Sequence, residues 1–208
     1  IVSVSANGYV KSVPSTAYKK QGRGGKGVKA ASSDEDVIEH LLSTSVHAYL
    51  LFFTDQGKVY RAKAHELPKT TRTAQGSLIH NVLSMSQDEK VQAIIDTRDY
   101  ETEKFLLIMT EKGTVKKSAF KDFDSNYKSL QAIKLKEEDK VVSVKTTSGM
   151  EDVILVSRKG QAIRFDENNL KPQGRTAMGV RGIKLREGDK VVGAATSRDE
   201  TLLFVTAK

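Results

Sequence analysis

A repeat of about 50 residues constrains the fold of this chain more than any other feature of its sequence. In each repeat a Ser or Thr is followed three residues later by a glycine, and successive glycines are 49, 56 and 47 positions apart: Ser5–Gly8, Thr54–Gly57, Thr110–Gly113 and Ser157–Gly160. Short runs of aliphatic or aromatic residues lead into the last three of these motifs. This pattern is typical of a β-hairpin, because a glycine late in the turn can adopt the left-handed conformation.

A second marker recurs with the same period. An aspartate precedes a valine-containing run at positions 36, 88, 139 and 189, which are 52, 51 and 50 residues apart. A period near 50 with several short strands in each unit favours a propeller-like array over a helical solenoid. The sequence therefore predicts an all-β fold of about four four-stranded antiparallel blades in a single domain. The predicted units are 1–49, 50–104, 105–152 and 153–200, with the start of a fifth at 201–208, so we expect a fragment of a longer array.

A third segment follows the pattern Arg-x-x-x-Gly, at Arg23–Gly27, Arg72–Gly76 and Arg175–Gly179. The third unit has Ser125 and Ser129 at the matching positions and lacks both features. The version in the first unit is the richest in glycine and charge, and it consists of Gln21, Gly22, Arg23, Gly24, Gly25, Lys26 and Gly27. The shared pattern predicts a partly structural role for its arginine and last glycine. It does not require Gly24, Gly25 and Lys26, which indicates a specialised contact there.

The chain has 34 Lys and Arg against 26 Asp and Glu, a formal net charge of +8. This excess favours nucleic acid, an acidic protein surface or an anionic membrane surface as a partner. Cations also recur in step with the repeat, so stacked blades would place them along one basic rim that neutralises phosphates without reading sequence. Aromatic residues make up only 6% of the chain, which favours double-stranded over single-stranded DNA.

The sequence contains no pattern typical of a catalytic or metal site. It has no cysteine, and its four histidines show no metal-ligand spacing. Gly22, Gly24 and Gly27 match a dinucleotide-binding fingerprint, but no strand–turn–helix context surrounds them, which argues against a dinucleotide-binding enzyme. No apolar run approaches the roughly 20 residues of a membrane span, so we expect a cytoplasmic protein with no membrane partner. A propeller-like protein-interaction module with an incidental basic rim stays open as an alternative.

The chain resembles the C-terminal domain of the bacterial DNA gyrase A subunit over essentially its whole length. The heptapeptide 21–27 is similar to the gyrase box of that family, with Gly22 where a second arginine is common. The other segments that support the resemblance are Gly8–Lys11, Leu51–Thr54, Gly57–Arg61, Gly113–Lys117 and Gly179–Leu185. The related C-terminal domain of topoisomerase IV, whose box is degenerate or absent, is the alternative, and the intact heptapeptide argues against it.

The resemblance implies a β-pinwheel, a six-bladed propeller-like array of which about four blades are present here. It also implies that the chain binds, bends and wraps double-stranded DNA, so that the parent topoisomerase introduces negative supercoils. The chain would then have no catalytic site and no cofactor of its own, since ATP, Mg²⁺ and the DNA-cleaving residues belong elsewhere in an A2B2 enzyme of gyrase A and gyrase B subunits. The expected DNA contacts are the heptapeptide, flanking Lys19, Lys20 and Lys29, and the rim residues Arg61, Arg72, Lys117, Arg164 and Arg175.

Overall fold

The structure is a computed structural model that describes residues 1–27, 36–97, 100–101 and 103–198. Strands dominate this part of the chain: β1 Val2–Ser5, β2 Tyr9–Ser12, β3 Ile38–Leu42, β4 Tyr49–Thr54, β5 Lys58–Lys63, β6 Ser77–Leu78, β7 Val91–Thr97, β8 Phe105–Thr110, β9 Thr114–Ala119, β10 Ser129–Gln131, β11 Val141–Thr147, β12 Asp152–Ser157, β13 Ala162–Asp166, β14 Val180–Arg181 and β15 Val191–Thr196. The helices described are α1, Ile79–Leu83, and 3-10 turns at Ser15–Ala17, Ala64–Glu66, Phe120–Phe123 and Glu167–Asn169. None of them is long and apolar enough to cross a membrane.

The strands of the described residues form four small sheets. Three sheets have four strands, in the orders β3-β1-β2-β6, β10-β5-β4-β7 and β11-β8-β9-β14, and the fourth has the order β13-β12-β15. The pairings are antiparallel, with Val2 opposite Ser12 and Leu107 opposite Lys117 as examples of the hairpin register. The prediction of an all-β fold with small antiparallel sheets is confirmed. The predicted start of a fifth unit at 201–208 lies outside the described residues.

An edge strand of a sheet comes from the repeat that follows it in sequence. Strand β6 belongs to the second predicted unit but pairs with β2 of the first, where Val10 lies opposite Ser77. Strand β14 belongs to the fourth predicted unit and pairs with β9 of the third, where Val115 lies opposite Val180. The next repeat therefore supplies an edge strand to each of these two sheets. The predicted units, each a continuous stretch of sequence, did not include this exchange.

The two sequence markers meet through hydrogen bonds at the hairpins. Gly8, Gly57, Gly113 and Gly160 all have left-handed φ values, between 77° and 82°. In the third repeat the Thr110 hydroxyl accepts a hydrogen bond from Thr114 N at 3.1 Å and donates to Asp139 Oδ2 at 2.7 Å. In the fourth, the Ser157 hydroxyl accepts from Gln161 N at 3.0 Å and donates to Asp189 Oδ2 at 2.6 Å. In these two repeats the Ser/Thr and the aspartate are hydrogen-bonded partners.

The chain divides into two compact units, residues 1–52 with 60–98 and residues 53–59 with 99–208. Each has its own apolar core, in which strand side chains and the residues after the Arg-x-x-x-Gly segments lose contact with water. The first core includes Val4, Val10, Leu50, Phe52 and Ile79. The second includes Leu107, Met109, Val115, Leu155 and Ile183. These cores fix the strands that precede and follow each Arg-x-x-x-Gly segment.

Candidate nucleic-acid interface

The heptapeptide 21–27, called the box loop below, is closed by the side chain of its first residue. Gln21 Nε2 donates to Gly27 O at 3.3 Å, and Gly27 N donates to Gln21 Oε1 at 2.9 Å. Within this ring, Gly25 N donates to Gly22 O at 3.1 Å and forms a tight turn. The closure of the loop by Gln21 was not predicted. A glutamine six residues before a glycine recurs at 173–179, and this repeat could have indicated it.

The glycines of the box loop have local structural roles. Gly24 and Gly27 have φ values of 86° and 71°, in the left-handed region that other residues rarely adopt. A Cβ on Gly25 would lie 2.7 Å from Gln21 Oε1, closer than van der Waals contact permits. Gly24 and Gly25, which the Arg-x-x-x-Gly pattern left unexplained, thus have a local structural role, because they allow the turn and the closure by Gln21. Lys26 alone among the specialised residues has no such explanation.

The cations of the box loop and its approach point to solvent. Lys19, Lys20, Arg23 and Lys26 are all exposed. Among the described residues, the side chains of these four make no hydrogen bond and no ion pair, so their charges are available to an external anion. Lys29, the fifth cation predicted here, lies outside the described residues. The box loop thus presents positive charge on a backbone that a partner can approach closely.

The segment 173–179 in the fourth repeat folds in the same way as the box loop. Gly179 N donates to Gln173 Oε1 at 3.1 Å, Ala177 N donates to Gly174 O at 3.1 Å, and Gly179 has a φ of 82°. In the second repeat the turn recurs as Ala74 N to Thr71 O at 3.2 Å, and Gly76 has a φ of 93°. The predicted contacts Arg72 and Arg175 belong to these two segments, and both side chains are half-buried.

Other cations expected on a basic rim are held inside the protein. Lys117 is 3% exposed, and its Nζ lies 2.9 Å from Glu167 Oε2 and 4.1 Å from the centre of the Phe105 ring. Lys11 and Lys116 are equally buried, 3% and 1% exposed. The prediction that Lys117 faces DNA is therefore wrong in this structure. Its buried ion pair makes it a structural residue.

Arg61 and Arg164 keep some exposure but have partners within their own sheets. The Arg61 guanidinium lies 3.7 Å from the centre of the Tyr49 ring. Arg164 Nε donates to Asp152 Oδ2 at 2.7 Å across the β12–β13 pair, and its side chain is 67% exposed. These partners hold the two guanidinium groups in place and leave Arg164 accessible from solvent. The sequence could not separate such residues from Lys117, because all three follow a turn glycine by four positions.

Comparison with known proteins identifies the family. A model of the family described as DNA gyrase C-terminal domain, beta-propeller, matches residues 1–47, 48–97, 104–148 and 151–198. The chain belongs to this family. The resemblance found in the sequence is thereby confirmed at the level of the family.

The curated relatives of this gyrase C-terminal domain include gyrase A proteins. The DNA gyrase A protein of Staphylococcus aureus strain NCTC 8325 / PS 47 is 40% identical over 210 residues, and so is that of strain COL; the match covers 98% of this chain and 24% of each relative. The chain thus spans about a quarter of the length of the curated relatives it matches. The similarity concerns a part of those proteins, and this part is a domain outside their catalytic region.

Solved structures of related domains superpose on the chain. The C-terminal domain of DNA topoisomerase IV has a TM-score of 0.81 at 32% identity, and the match covers 94% of this chain and 60% of that one. The DNA gyrase A C-terminal domain has a TM-score of 0.71 at 29% identity, covering 94% and 64%. The E. coli ParC C-terminal domain, with a TM-score of 0.70 over 94% of this chain and 78% of that one, is 16% identical and supports the fold alone.

Proposed function

We propose that this gyrase C-terminal domain binds double-stranded DNA without sequence specificity, and that it bends the duplex and wraps it. The observation that carries the proposal is the box loop: a closed, exposed, glycine-rich ring from which Arg23 and Lys26 project with no partner among the described residues. Phosphates are the anions that suit such a site, because they accept hydrogen bonds from both cations and closely approached backbone N–H groups. The excess of positive charge over the whole chain supports the same partner.

The choice of duplex over single-stranded DNA follows from which side chains are available at the surface. Sequence-independent binding of single strands uses aromatic side chains on which bases stack. The box loop contains none, and its approach 19–20 consists of two lysines. A surface of cations without stacking platforms neutralises phosphates, and its affinity arises largely from released counterions. Bending a duplex by 40–90° costs on the order of 1–6 kcal/mol, which several such contacts can offset.

The proposal extends to the enzyme in which the domain works. We propose that the chain acts with the remainder of gyrase A, and with gyrase B, in an A2B2 type II topoisomerase, in the cytoplasm at the nucleoid. The domain makes DNA passage directional, so that ATP hydrolysis yields negative supercoils. ATP and Mg²⁺ are used by other parts of that enzyme, and the chain itself contributes DNA binding.

A second candidate is the corresponding role in topoisomerase IV. The observation in its favour is structural, since the TM-score to the topoisomerase IV domain is 0.81, against 0.71 for the gyrase A domain. The box loop separates the two candidates, because its intact ring is the part of this chain that the topoisomerase IV family lacks or has altered. DNA binding that does not change when Arg23 and Lys26 are replaced would favour the topoisomerase IV role.

The salt dependence of DNA affinity tests the proposal. The logarithm of the chain's affinity for a random-sequence duplex should fall linearly with the logarithm of salt concentration, with a slope of about −0.9 for each neutralised phosphate. Arg23→Ala and Lys26→Ala should each reduce that slope by about 1, equally for all sequences. Lys136→Ala, which removes an exposed cation distant in sequence from every predicted contact, is the matched control. An affinity that does not depend on salt would contradict DNA binding and favour a protein-interaction module.

A further inference from the structure

Two buried lysines hold the backbone of the following repeat's Arg-x-x-x-Gly segment. Lys11 Nζ on β2 donates to Arg72 O and to Ala74 O, each at 2.7 Å. Lys116 Nζ on β9 donates to Arg175 O at 2.6 Å, Gly174 O at 3.1 Å and Ala132 O at 2.5 Å. Both lysines lie three positions after a turn glycine, and each reaches about 60 residues along the chain. In both cases a carbonyl that accepts belongs to the arginine itself.

The last glycine of each segment rests on the same strand as the lysine. A Cβ on Gly76 would lie 2.5 Å from Val10 O and 3.1 Å from the Lys11 Cβ. A Cβ on Gly179 would lie 2.7 Å from Val115 O and 3.1 Å from the Lys116 Cβ. The glycine therefore allows the segment to approach the strand closely, and the lysine holds the backbone just before that contact.

The presence of the lysine matches the presence of the segment that it holds. In the second repeat the position three after Gly57 is Tyr60, whose hydroxyl donates to Glu89 Oε1 at 3.0 Å. The segment of the third repeat, which follows it, has Ser125 and Ser129 in place of the arginine and glycine. A lysine thus precedes the segments 72–76 and 175–179, which have the full pattern, and a tyrosine precedes the third-repeat segment, which lacks it.

At neutral pH a protonated lysine has enough N–H donors for the backbone carbonyl oxygens that it contacts. Burial lowers the pKa of Lys116 to about 8, the charge of Arg175 lowers it as well, and Asp122 opposes both effects. Burial also lowers the pKa of Lys11, against the charge of Asp36. A Lys116 that is still protonated at pH 7 offers three N–H groups to three carbonyl oxygens. Hydrogen bonds to backbone carbonyls stabilise a buried cation of this kind, and its charge stays inside the protein.

We infer that Lys11 and Lys116 are positioning residues for DNA binding: each fixes the backbone of the next repeat's segment and thereby places Arg72 or Arg175 to contact phosphate. The inference rests on the proposed function for the identity of the partner. It assigns the two lysines, which the sequence places with the surface cations, an indirect role. The arginine side chain contacts the DNA, and the lysine sets where that side chain begins.

A spin label separates the positioning role from DNA binding. The chain has no cysteine, so Thr176→Cys, at an exposed position inside the segment, gives a single labelling site. Lys116→Met keeps an unbranched side chain but removes the three donors, and Lys136→Met is the matched loss of an exposed charge. We expect the label to become more mobile in Lys116→Met and to stay unchanged in Lys136→Met, both without DNA. A label equally immobile in Lys116→Met and in the parent chain would overturn the inference.

The DNA arm uses a random-sequence duplex over a salt series. Lys116→Met should reduce the salt slope by about 1, as Arg175→Ala does. The double variant should be no weaker than either single one, because both changes remove the same contact. A wild-type slope in a folded Lys116→Met, or fully additive losses, would overturn the positioning role. If the parent chain does not bind duplex at all, the proposed function fails, while the label still decides whether Lys116 fixes the segment.

The second lysine provides an independent test in case Lys116→Met does not fold. Lys11→Met with a label at exposed Thr73 probes the segment 70–76 in the same way, and Arg72→Ala is its partner in the double variant. We expect the same increase in mobility and the same loss of about 1 in salt slope. An immobile label at Thr73, or an unchanged slope, would overturn the inference for that repeat.

Discussion

At the scale of single residues, the box loop shows what a pattern of glycines can and cannot reveal. Its glycine content and two cations are visible in the sequence and led to a binding loop. The closure by Gln21 and the steric need for Gly25 were not visible, because they depend on a side chain folding back over the turn. Loops of this kind are determined by contacts between residues six apart, which strand and turn patterns do not encode.

Replacing Gly25 tests the closure of the box loop. Gly25→Ala puts a Cβ 2.7 Å from Gln21 Oε1, so the hydrogen bond from Gly27 N should weaken and the Gly27 amide should exchange with solvent faster. Gly22→Ala is the control, since a Cβ there meets nothing within 4 Å. Amide hydrogen exchange measured by NMR compares the two variants. Equal exchange at Gly27 in both would show that Gln21 does not close the loop.

Replacing Lys117 separates a structural cation from a surface one. Lys117→Ala leaves Glu167 buried without its ion partner, which costs about 3–5 kcal/mol in the free energy of unfolding. Arg164→Ala, which breaks an exposed ion pair with Asp152, should cost less than about 1 kcal/mol. Urea denaturation measures both. We expect the salt slope of DNA binding to be unchanged in Lys117→Ala under conditions where it is folded, and a reduced slope would restore Lys117 as a DNA contact.

At the scale of strands and turns, the repeat pattern predicted more of the fold than of the site. The hairpin turns follow from a glycine and a hydroxyl at fixed spacing, both of which act locally. The exchange of β6 and β14 between repeats depends on contacts between residues 65–69 positions apart, so the sequence of one repeat does not contain it. The face of a strand is equally hard to assign when lysine occupies an inward position. The sequence did contain a signal that this strand position faces inward, because the equivalent residues of the second and fourth repeats are Tyr60 and Ile163.

The close approach of Gly179 to β9 makes this glycine more sensitive to substitution than Gly160. Gly179 and Gly160 share a φ of 82°, so alanine at either costs about 1–2 kcal/mol of backbone strain. At Gly179 the Cβ also lies 2.7 Å from Val115 O, whereas at Gly160 it meets nothing within 4 Å. We therefore expect the urea midpoint to fall further for Gly179→Ala. Equal midpoints would mean that Gly179 does not lie as close to β9 as described.

We expect the protein to lose stability in acid because of Glu151, which lies in the turn before β12. Burial alone would raise the pKa of Glu151, but hydrogen bonding with Glu167, Ser148 and Arg198 outweighs it and holds the pKa well below the usual value of 4.5. A lowered carboxyl pKa stabilises the fold above the unfolded value and loses that contribution as pH falls below it. The stability difference between the parent chain and Glu151→Gln, measured by urea denaturation, should therefore shrink from pH 7 to pH 3. A difference independent of pH would contradict this assignment.

At the scale of the whole molecule, the positive charge divides into two populations with different roles. Lys11, Lys116 and Lys117 lie inside the sheets, where they hold backbone carbonyls or a carboxylate. Lys19, Lys20, Arg23 and Lys26 are exposed, and their side chains have no partners among the described residues. The count of 34 Lys and Arg therefore overstates the number of cations available to DNA. The family was recognisable from sequence because its repeats and box are local motifs, whereas this division required the structure.

The topology of DNA bound to the chain tests the central proposal most directly. Nicked circular DNA is saturated with the chain, ligated and stripped of protein, and its topoisomers are compared with those of circles ligated alone. Wrapping predicts a shift in linking number that grows with bound protein and shrinks in the variant with both Arg23→Ala and Lys26→Ala. A topoisomer distribution identical to that of protein-free circles, at concentrations where the chain covers the DNA, would contradict wrapping.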